Sequence, residues 1–256
     1  MKNVLYGFLL ALQFLTRIPV PIECPWTNET SRWAIRFYPI VGLVIGAVLV
    51  TIGSFLAPIL PAGMLALILV SLWVWLTGGL HLDGVMDVAD AVGSNAPLEK
   101  KWTIMKDPHV GSFGIITLFF LLGWKTMLIY LLVNEAEAGW RILLPLLVSV
   151  ALARFSAVGL LIFLPAAKKE GLAWHWKKNL NWLDSVWAMI PIVFVIGLFP
   201  QLIWLVTLCL VMTGVYGFWL MRTFKGINGD LTGTAIEGGE LWGLLLIWSY
   251  MSFVTV

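Results

Sequence analysis

Charge is what this sequence has little of. Asp, Glu, Lys and Arg make up 12% of its 256 residues, while 60% are hydrophobic. A soluble domain carries roughly 25% charged and about 45–50% apolar residues, so an ordinary water-facing surface cannot be built. The mean hydropathy of +0.93 says the same, and the chain reads as a polytopic membrane protein. Cysteine is also scarce: Cys24 and Cys209 are far apart, which leaves neither a disulfide framework nor a thiolate metal site. Net charge is only +2 and no basic run exceeds a lysine pair (Lys100-Lys101, Lys168-Lys169, Lys177-Lys178), so no nucleic-acid surface is expected. Internal repeats, low-complexity tracts and polar linkers are missing too. One integral-membrane domain over residues 1–256 is the reading that follows.

What is present is a succession of apolar runs. A bilayer core of about 30 Å needs roughly 20 residues of helix, and Phe37–Leu60, Ala62–Leu80, Phe113–Val133 and Ile142–Leu164 qualify. Val186–Met221 is too long for one crossing at 1.5 Å per residue, and Gly197, Pro200 and Gln201 interrupt it, so two short spans are expected. Leu241 to the C-terminus completes seven. The first 15 residues lack a small-residue cleavage site after their apolar stretch and read as a retained interfacial or half-spanning helix. With the N-terminus cytoplasmic, the inner side receives Lys2, Arg17, Arg32, Arg36, Lys100, Lys101, Lys106, the four lysines at 168–178, Arg222 and Lys225. The outer side receives only Arg141, beside Glu135 and Glu137. That asymmetry fixes the expected orientation and directs attention to the inner face. Gly42, Gly46, Ala47 and Gly53 in the first span have spacings suited to close helix packing.

Against so few charges, Asp83, Asp87 and Asp90 stand out at i, i+4 and i+7, directly after the second span. On a helix they fall within roughly 60° of one another. Three anions on one stripe repel each other, and more so at a membrane edge. A divalent cation relieves this, since all-oxygen ligands with phosphate suit Mg²⁺ or Mn²⁺. The bland alternative is a solvated helix start favoured by the macrodipole. His81 is open between metal ligand, phosphate contact, general base and a structural ring.

Three further features share that side. Lys106-Asp107-Pro108-His109-Val110-Gly111-Ser112 opens the third span and could offer backbone N–H groups to a phosphate, or be an ordinary capped start with Ser112 as cap. Lys125 and Arg154 lie in mid-span, which costs several kcal/mol unless they are paired or wet. The acidic stripe or a bound pyrophosphate would serve as partner. Finally, Asp230, Glu237 and Glu240 precede the last span in a glycine-rich segment. On this topology six carboxylates converge at one interface, with only the two basic residues buried.

These motifs, taken in order, identify a resemblance. The runs FLTRIPVP (Phe14–Pro21), TGGLHLDGVMDVAD (Thr77–Asp90), KDPHVGSFG (Lys106–Gly114) and GDLTGTAIEGGE (Gly229–Glu240) resemble the cobalamin synthase, or adenosylcobinamide-GDP ribazoletransferase, family across essentially the whole chain. Ala91 and Asn228 depart from residues common there, a glycine and a threonine, without removing a carboxylate. The resemblance implies a multi-pass inner-membrane enzyme with its site facing the cytoplasm. It would join the corrinoid of adenosylcobinamide-GDP to α-ribazole or its 5′-phosphate with release of GMP, using Mg²⁺ and working beside other late corrinoid-pathway enzymes. Carried over by position, His81, Asp83, Asp87 and Asp90 are catalytic, the three aspartates as metal ligands. Arg17, Lys106, Asp107, His109, Gly111, Lys125, Arg154, Asp230, Glu237 and Glu240 are substrate contacts. Asp90 or His81 would take the attacking hydroxyl's proton, and Lys106 and Lys125 would hold the leaving phosphate. A CDP-alcohol phosphotransferase is disfavoured because Asp87-Val88 stands where its Ala-Arg pair belongs. A cation transporter would need acids deep inside the spans.

Overall fold

The computed structural model describes residues 2–134 and 140–254; the predicted outer turn with Glu135 and Glu137 lies outside them. Among the described residues the architecture is helical: α1 (Lys2–Leu15), α2 (Asn28–Leu56), α3 (Ala62–Thr77), α4 (Leu80–Gly93), α5 (Leu98–Ile104), α6 (Ser112–Asn134), α7 (Trp140–Phe163), α8 (Gly171–Lys177), α9 (Trp182–Leu198), α10 (Ile203–Thr223) and α11 (Gly229–Val254). The expected helical membrane bundle is what forms.

The span count is a different matter. Four helical segments, Asn28–Leu56, Ser112–Asn134, Leu144–Phe163 and Pro200–Thr223, are long and apolar enough to cross a bilayer, or five if α3 and α4 count as one broken span. Of the seven predicted, the second is α3, only 16 residues long, and the fifth is α9, with 17. The break before α10 falls at the 3₁₀ turn Pro200–Leu202, where Pro200 and Gln201 placed it. The seventh is no separate element: it is the second half of α11, which already begins at Gly229.

Lipid offers apolar side chains no incentive to leave it, so membrane helices associate through close packing of small residues and polar contacts. α7 is the centre of the bundle, with α2 on one side and α11 on the other. A Cβ at Gly46 would stand 2.9 Å from the Leu147 Cα, and one at Gly42 would meet the backbone of Ala151. Gly239 and Gly243 play the same part on α11, against Ala153 and Ser149. Outward, Phe119, Phe120 and Trp124 on α6, Phe194 on α9 and Phe218 on α10 are exposed, as lipid-facing side chains should be. The predicted N-terminal helix is α1, too short to cross, with Leu10, Ala11, Leu12 and Leu15 buried against α2.

Two local devices shape the inner end. Gly78 and Gly79 have φ of 68° and 69°, a left-handed pair that strains any side chain. They turn the chain by 92° from α3 into α4, so α4 runs nearly at right angles to α3. Elsewhere Ala167 N–H donates to the Ile227 carbonyl and Ile227 N–H to that of Pro165, each at 2.9 Å. This clasp joins the loops that follow α7 and precede α11, and it fixes where α11 starts.

Candidate active site

α4 lies against α11 at unusually short range. A Cβ at Gly84 would stand 2.8 Å from the Asp230 Cα, and one at Gly233 would be 3.3 Å from the His81 Cα. Thr234 Oγ1 donates to the Gly84 carbonyl at 3.2 Å. The contact brings Asp230, from the first turn of α11, to the stripe on α4. Asn228 orients it: Nδ2 donates to Asp230 Oδ2 at 2.6 Å, while Asn228 Oδ1 accepts from Leu231 N–H at 3.0 Å.

The electrostatics follow from this convergence. Asp87 is half-buried, and its carboxyl is pushed up to about 6, first by burial and then by the charges of Asp230, Asp83 and Asp90. Asp230 is raised as well, chiefly by burial, with Asp83 adding to it and the Asn228 bond opposing it. Among the described residues none of Asp83, Asp87 and Asp230 is in an ion pair. Such a group favours a nearby positive charge. No three described His, Cys, Asp or Glu side chains close into a cage for a metal by themselves. A Mg²⁺ ion asks for less than a full cage, since it keeps several waters and takes one or two carboxylates together with substrate phosphates.

Asp90 behaves differently. Its Oδ2 accepts from Gly111 N–H at 2.7 Å and its Oδ1 from Gly114 N–H at 2.9 Å. The third carboxylate of the stripe therefore anchors the start of α6, and two of the backbone donors expected to cradle a phosphate are occupied by it. The rest of that loop is exposed. Asp107 Oδ1 accepts from His109 N–H at 3.0 Å and lies 2.7 Å from its Nδ1. Lys106 Nζ reaches Glu170 Oε1 at 3.4 Å.

Glu237 and Glu240 are not at the interface. Ten residues of helix separate Asp230 from Glu240, about 15 Å of depth, and both glutamates are buried, Glu240 completely. Lys125 Nζ lies 2.5 Å from Glu237 Oε2 and 2.5 Å from Glu240 Oε2, and Arg154 pairs with Glu240 Oε1, which also accepts from Trp73 Nε1 at 3.1 Å. The buried cations take these glutamates as partners, and the stripe stays unpaired. Convergence of six carboxylates is thereby corrected to two sets: four near the inner end, two neutralised in the interior. His81 lies between them, 5% exposed, within electrostatic reach of Arg154 and Glu240, and its Nδ1 has no hydrogen-bond partner. Arg17 is exposed beside the α3–α4 turn, where its N–H donates to the Leu76 carbonyl at 2.7 Å.

Asp230 also borders two cavities. One, of about 450 Å³, is an open cleft lined by Trp102, Lys106, Lys168, Glu170 and Asn228. The other, of about 160 Å³, runs inward between α1, α2, α4, α7, α8 and α11, past His81 and Trp176. Sequence reading passed over Asn228 as a site residue and Trp176 altogether. One of 15 tryptophans carries no signal of its own.

Fold and site define a helical membrane protein with a group of unpaired carboxylates, one of which, Asp230, lines a cleft that contains lysines, an arrangement suited to polyphosphate chemistry. The Cobalamin-5-phosphate synthase family model matches residues 7–248. The chain belongs to that family and is a transferase of cobalamin biosynthesis. Similar proteins include the adenosylcobinamide-GDP ribazoletransferases of Halalkalibacterium halodurans, 40% identical over the full length of both chains, and of Geobacillus thermodenitrificans, 34% identical over 96% of this chain and 97% of the relative. That of Thiobacillus denitrificans is 36% identical over 94% of each. No solved structure matches the chain. Buried acids exist after all, which removes the sequence argument against a transporter. Two buried cations consume them, and family membership decides between the readings.

Proposed function

We propose that this chain transfers the adenosylcobinamide-phosphate moiety of adenosylcobinamide-GDP to α-ribazole or α-ribazole 5′-phosphate, releasing GMP, at the cytoplasmic face of an inner membrane. The observation that carries the reading is the unpaired group Asp83, Asp87 and Asp230, whose member Asp230 lines a cleft together with Lys106 and Lys168. A pyrophosphate brings several negative oxygens, and its transfer needs charge neutralisation and in-line positioning more than covalent help.

Asp83 and Asp87 would hold Mg²⁺, which supplies charge neutralisation at the phosphate oxygens when bound. The chain's own groups do the rest. Lys106 and Lys168 draw the departing GMP phosphate into the cleft. Asp230, raised in pKa and bordering both cavities, accepts the proton of the ribose hydroxyl as its oxygen bonds to phosphorus and the bridging P–O bond breaks. Asp90, bonded twice to backbone N–H groups, and His81, its Nδ1 enclosed without a partner, are less suited to that proton. Lys125, committed to Glu237 and Glu240, leaves phosphate binding to the exposed lysines. The inner location rests on the positive-inside bias.

The test is direct. Purified protein in detergent is incubated with adenosylcobinamide-GDP, α-ribazole and Mg²⁺, and GMP and the corrinoid product are followed by chromatography. Equimolar formation of both is expected. Absence of either with well-folded protein contradicts the reading.

A further inference from the structure

The inward cavity beside His81 and Trp176 is a built pocket that the phosphate chemistry leaves unused. Its volume of about 160 Å³ is close to that of an engineered apolar cavity, about 150 Å³, that takes benzene. Its walls combine aliphatic side chains, among them Leu15, Leu161 and Ile236, with the rings of Phe14, Tyr38 and Trp176. Trp176 is 2% exposed and packs with ring-centroid distances of 4.7 Å to Trp26, 5.6 Å to Phe14 and 6.3 Å to Tyr38. Two buried polar atoms on the lining side chains have no protein partner: Trp176 Nε1, which can only donate, and His81 Nδ1. Buried polar atoms are satisfied in the great majority of cases, so an orphaned pair on one pocket calls for a ligand. Small pockets of this kind bind through apolar walls with a few placed polar groups.

The exit identifies the occupant further. Ala173, Gly229 and Asp230 line both this pocket and the cationic cleft. A molecule with a flat ring inside would leave its attached group at Asp230, where the proposed reaction needs a sugar hydroxyl. An N-ribosylated azole ring keeps one nitrogen lone pair and no N–H, which complements a lone donor. We infer that the pocket between His81 and Trp176 receives the aromatic base of the acceptor nucleoside, with Trp176 Nε1–H donating to the ring nitrogen that the sugar leaves free.

This inference rests on the proposed transfer reaction, so its test has a binding arm that needs no turnover. N-methylbenzimidazole, with one nitrogen blocked as a sugar would block it, is titrated against detergent-solubilised protein by equilibrium dialysis, alongside the isosteric hydrocarbon 1-methylindene. Wild type should bind the azole saturably and prefer it to the hydrocarbon by about fivefold or more. Trp176→Phe should erase that preference, and Ala157→Leu, which fills the pocket from α7, should abolish saturable binding of both. Ala173→Leu at the shared wall serves as a second filling variant, and thermal melts identify any variant that fails to fold. Where turnover is seen, Trp176→Phe should raise KM for the nucleoside at least fivefold with KM for adenosylcobinamide-GDP unchanged. Azole binding that survives both filling variants, or no saturable binding to wild type, overturns the inference. Saturable, Trp176-dependent binding without any transfer upholds the pocket and refutes the reaction.

Discussion

Glu240 on α11 and Lys125 on α6 form an ion pair with no access to water, Nζ lying 2.5 Å from Oε2, in the middle of a chain that has little charge to spend. The same carboxylate receives Arg154 and Trp73 through its other oxygen. Four groups from α3, α6, α7 and α11 thus meet at one point. Opposite charges are matched two to two once Glu237 is included, and this holds the helices that carry the site in register.

The two glutamates should therefore differ. Glu240→Gln leaves both Lys125 and Arg154 short of a partner, and breaking a buried pair from one side costs about 3–5 kcal/mol. Glu237→Gln leaves Lys125 with Glu240 and should cost distinctly less. Thermal unfolding in detergent should rank wild type above Glu237→Gln, and that above Glu240→Gln.

This network also marks where the sequence stopped being legible. Asp83, Asp87 and Asp90 were readable because their i, i+4, i+7 spacing needs only one helix. Pairing of Lys125 with residues 112 and 115 positions later is a tertiary fact, invisible to local pattern. The glycine-rich acidic segment was placed before the last span, yet it belongs to the same helix, and its small residues are what lets α11 pack closely against α7 and α4. Asp90 was grouped with its neighbours on face alone, while two N–H groups at the start of α6 claimed it.

Asp90 and Asp87 should consequently fail in different ways. Asp90→Asn puts an amide NH₂ against one of two N–H donors, so stability should fall by about 1–3 kcal/mol, with activity lost in proportion to folded protein. Asp87→Asn relieves repulsion in the metal-free protein. Its folded carboxyl sits at about 6, above the ordinary value, so the folded state binds that proton more tightly than the unfolded one and loses stability as pH rises from about 4 to 6. Asp87→Asn should raise the metal-free melting temperature at pH 7.5, with the gain gone near pH 4.

The same group predicts how Mg²⁺ binding responds to pH. A protonated carboxyl cannot ligate, so metal binding must displace the proton below about pH 6. The half-saturating Mg²⁺ concentration should be nearly flat from pH 8 to 7 and climb as pH falls from 6 to 5, approaching tenfold per unit. Steady-state rates across a Mg²⁺ series at each pH measure this.

Gly84 is the spacer that permits α4 to approach α11. In Gly84→Ala the new Cβ would stand 2.8 Å from the Asp230 Cα and 2.9 Å from its carbonyl oxygen, both backbone atoms, so the helices must part. Turnover should drop by at least tenfold, while the melting temperature falls far less than in Glu240→Gln. Paired rate and melting measurements on the two variants separate these effects.

The central claim is that Asp83 and Asp87 assemble a Mg²⁺-dependent phosphoryl-transfer site. GMP release from adenosylcobinamide-GDP and α-ribazole, followed over a Mg²⁺ titration for wild type, Asp83→Asn and Asp87→Asn, tests it most directly. The account predicts Mg²⁺-dependent release by wild type and a loss of at least a hundredfold in each variant, with both variants folded. Wild-type release that persists in a chelator, or variants that match wild type at ordinary Mg²⁺ concentrations, would contradict it.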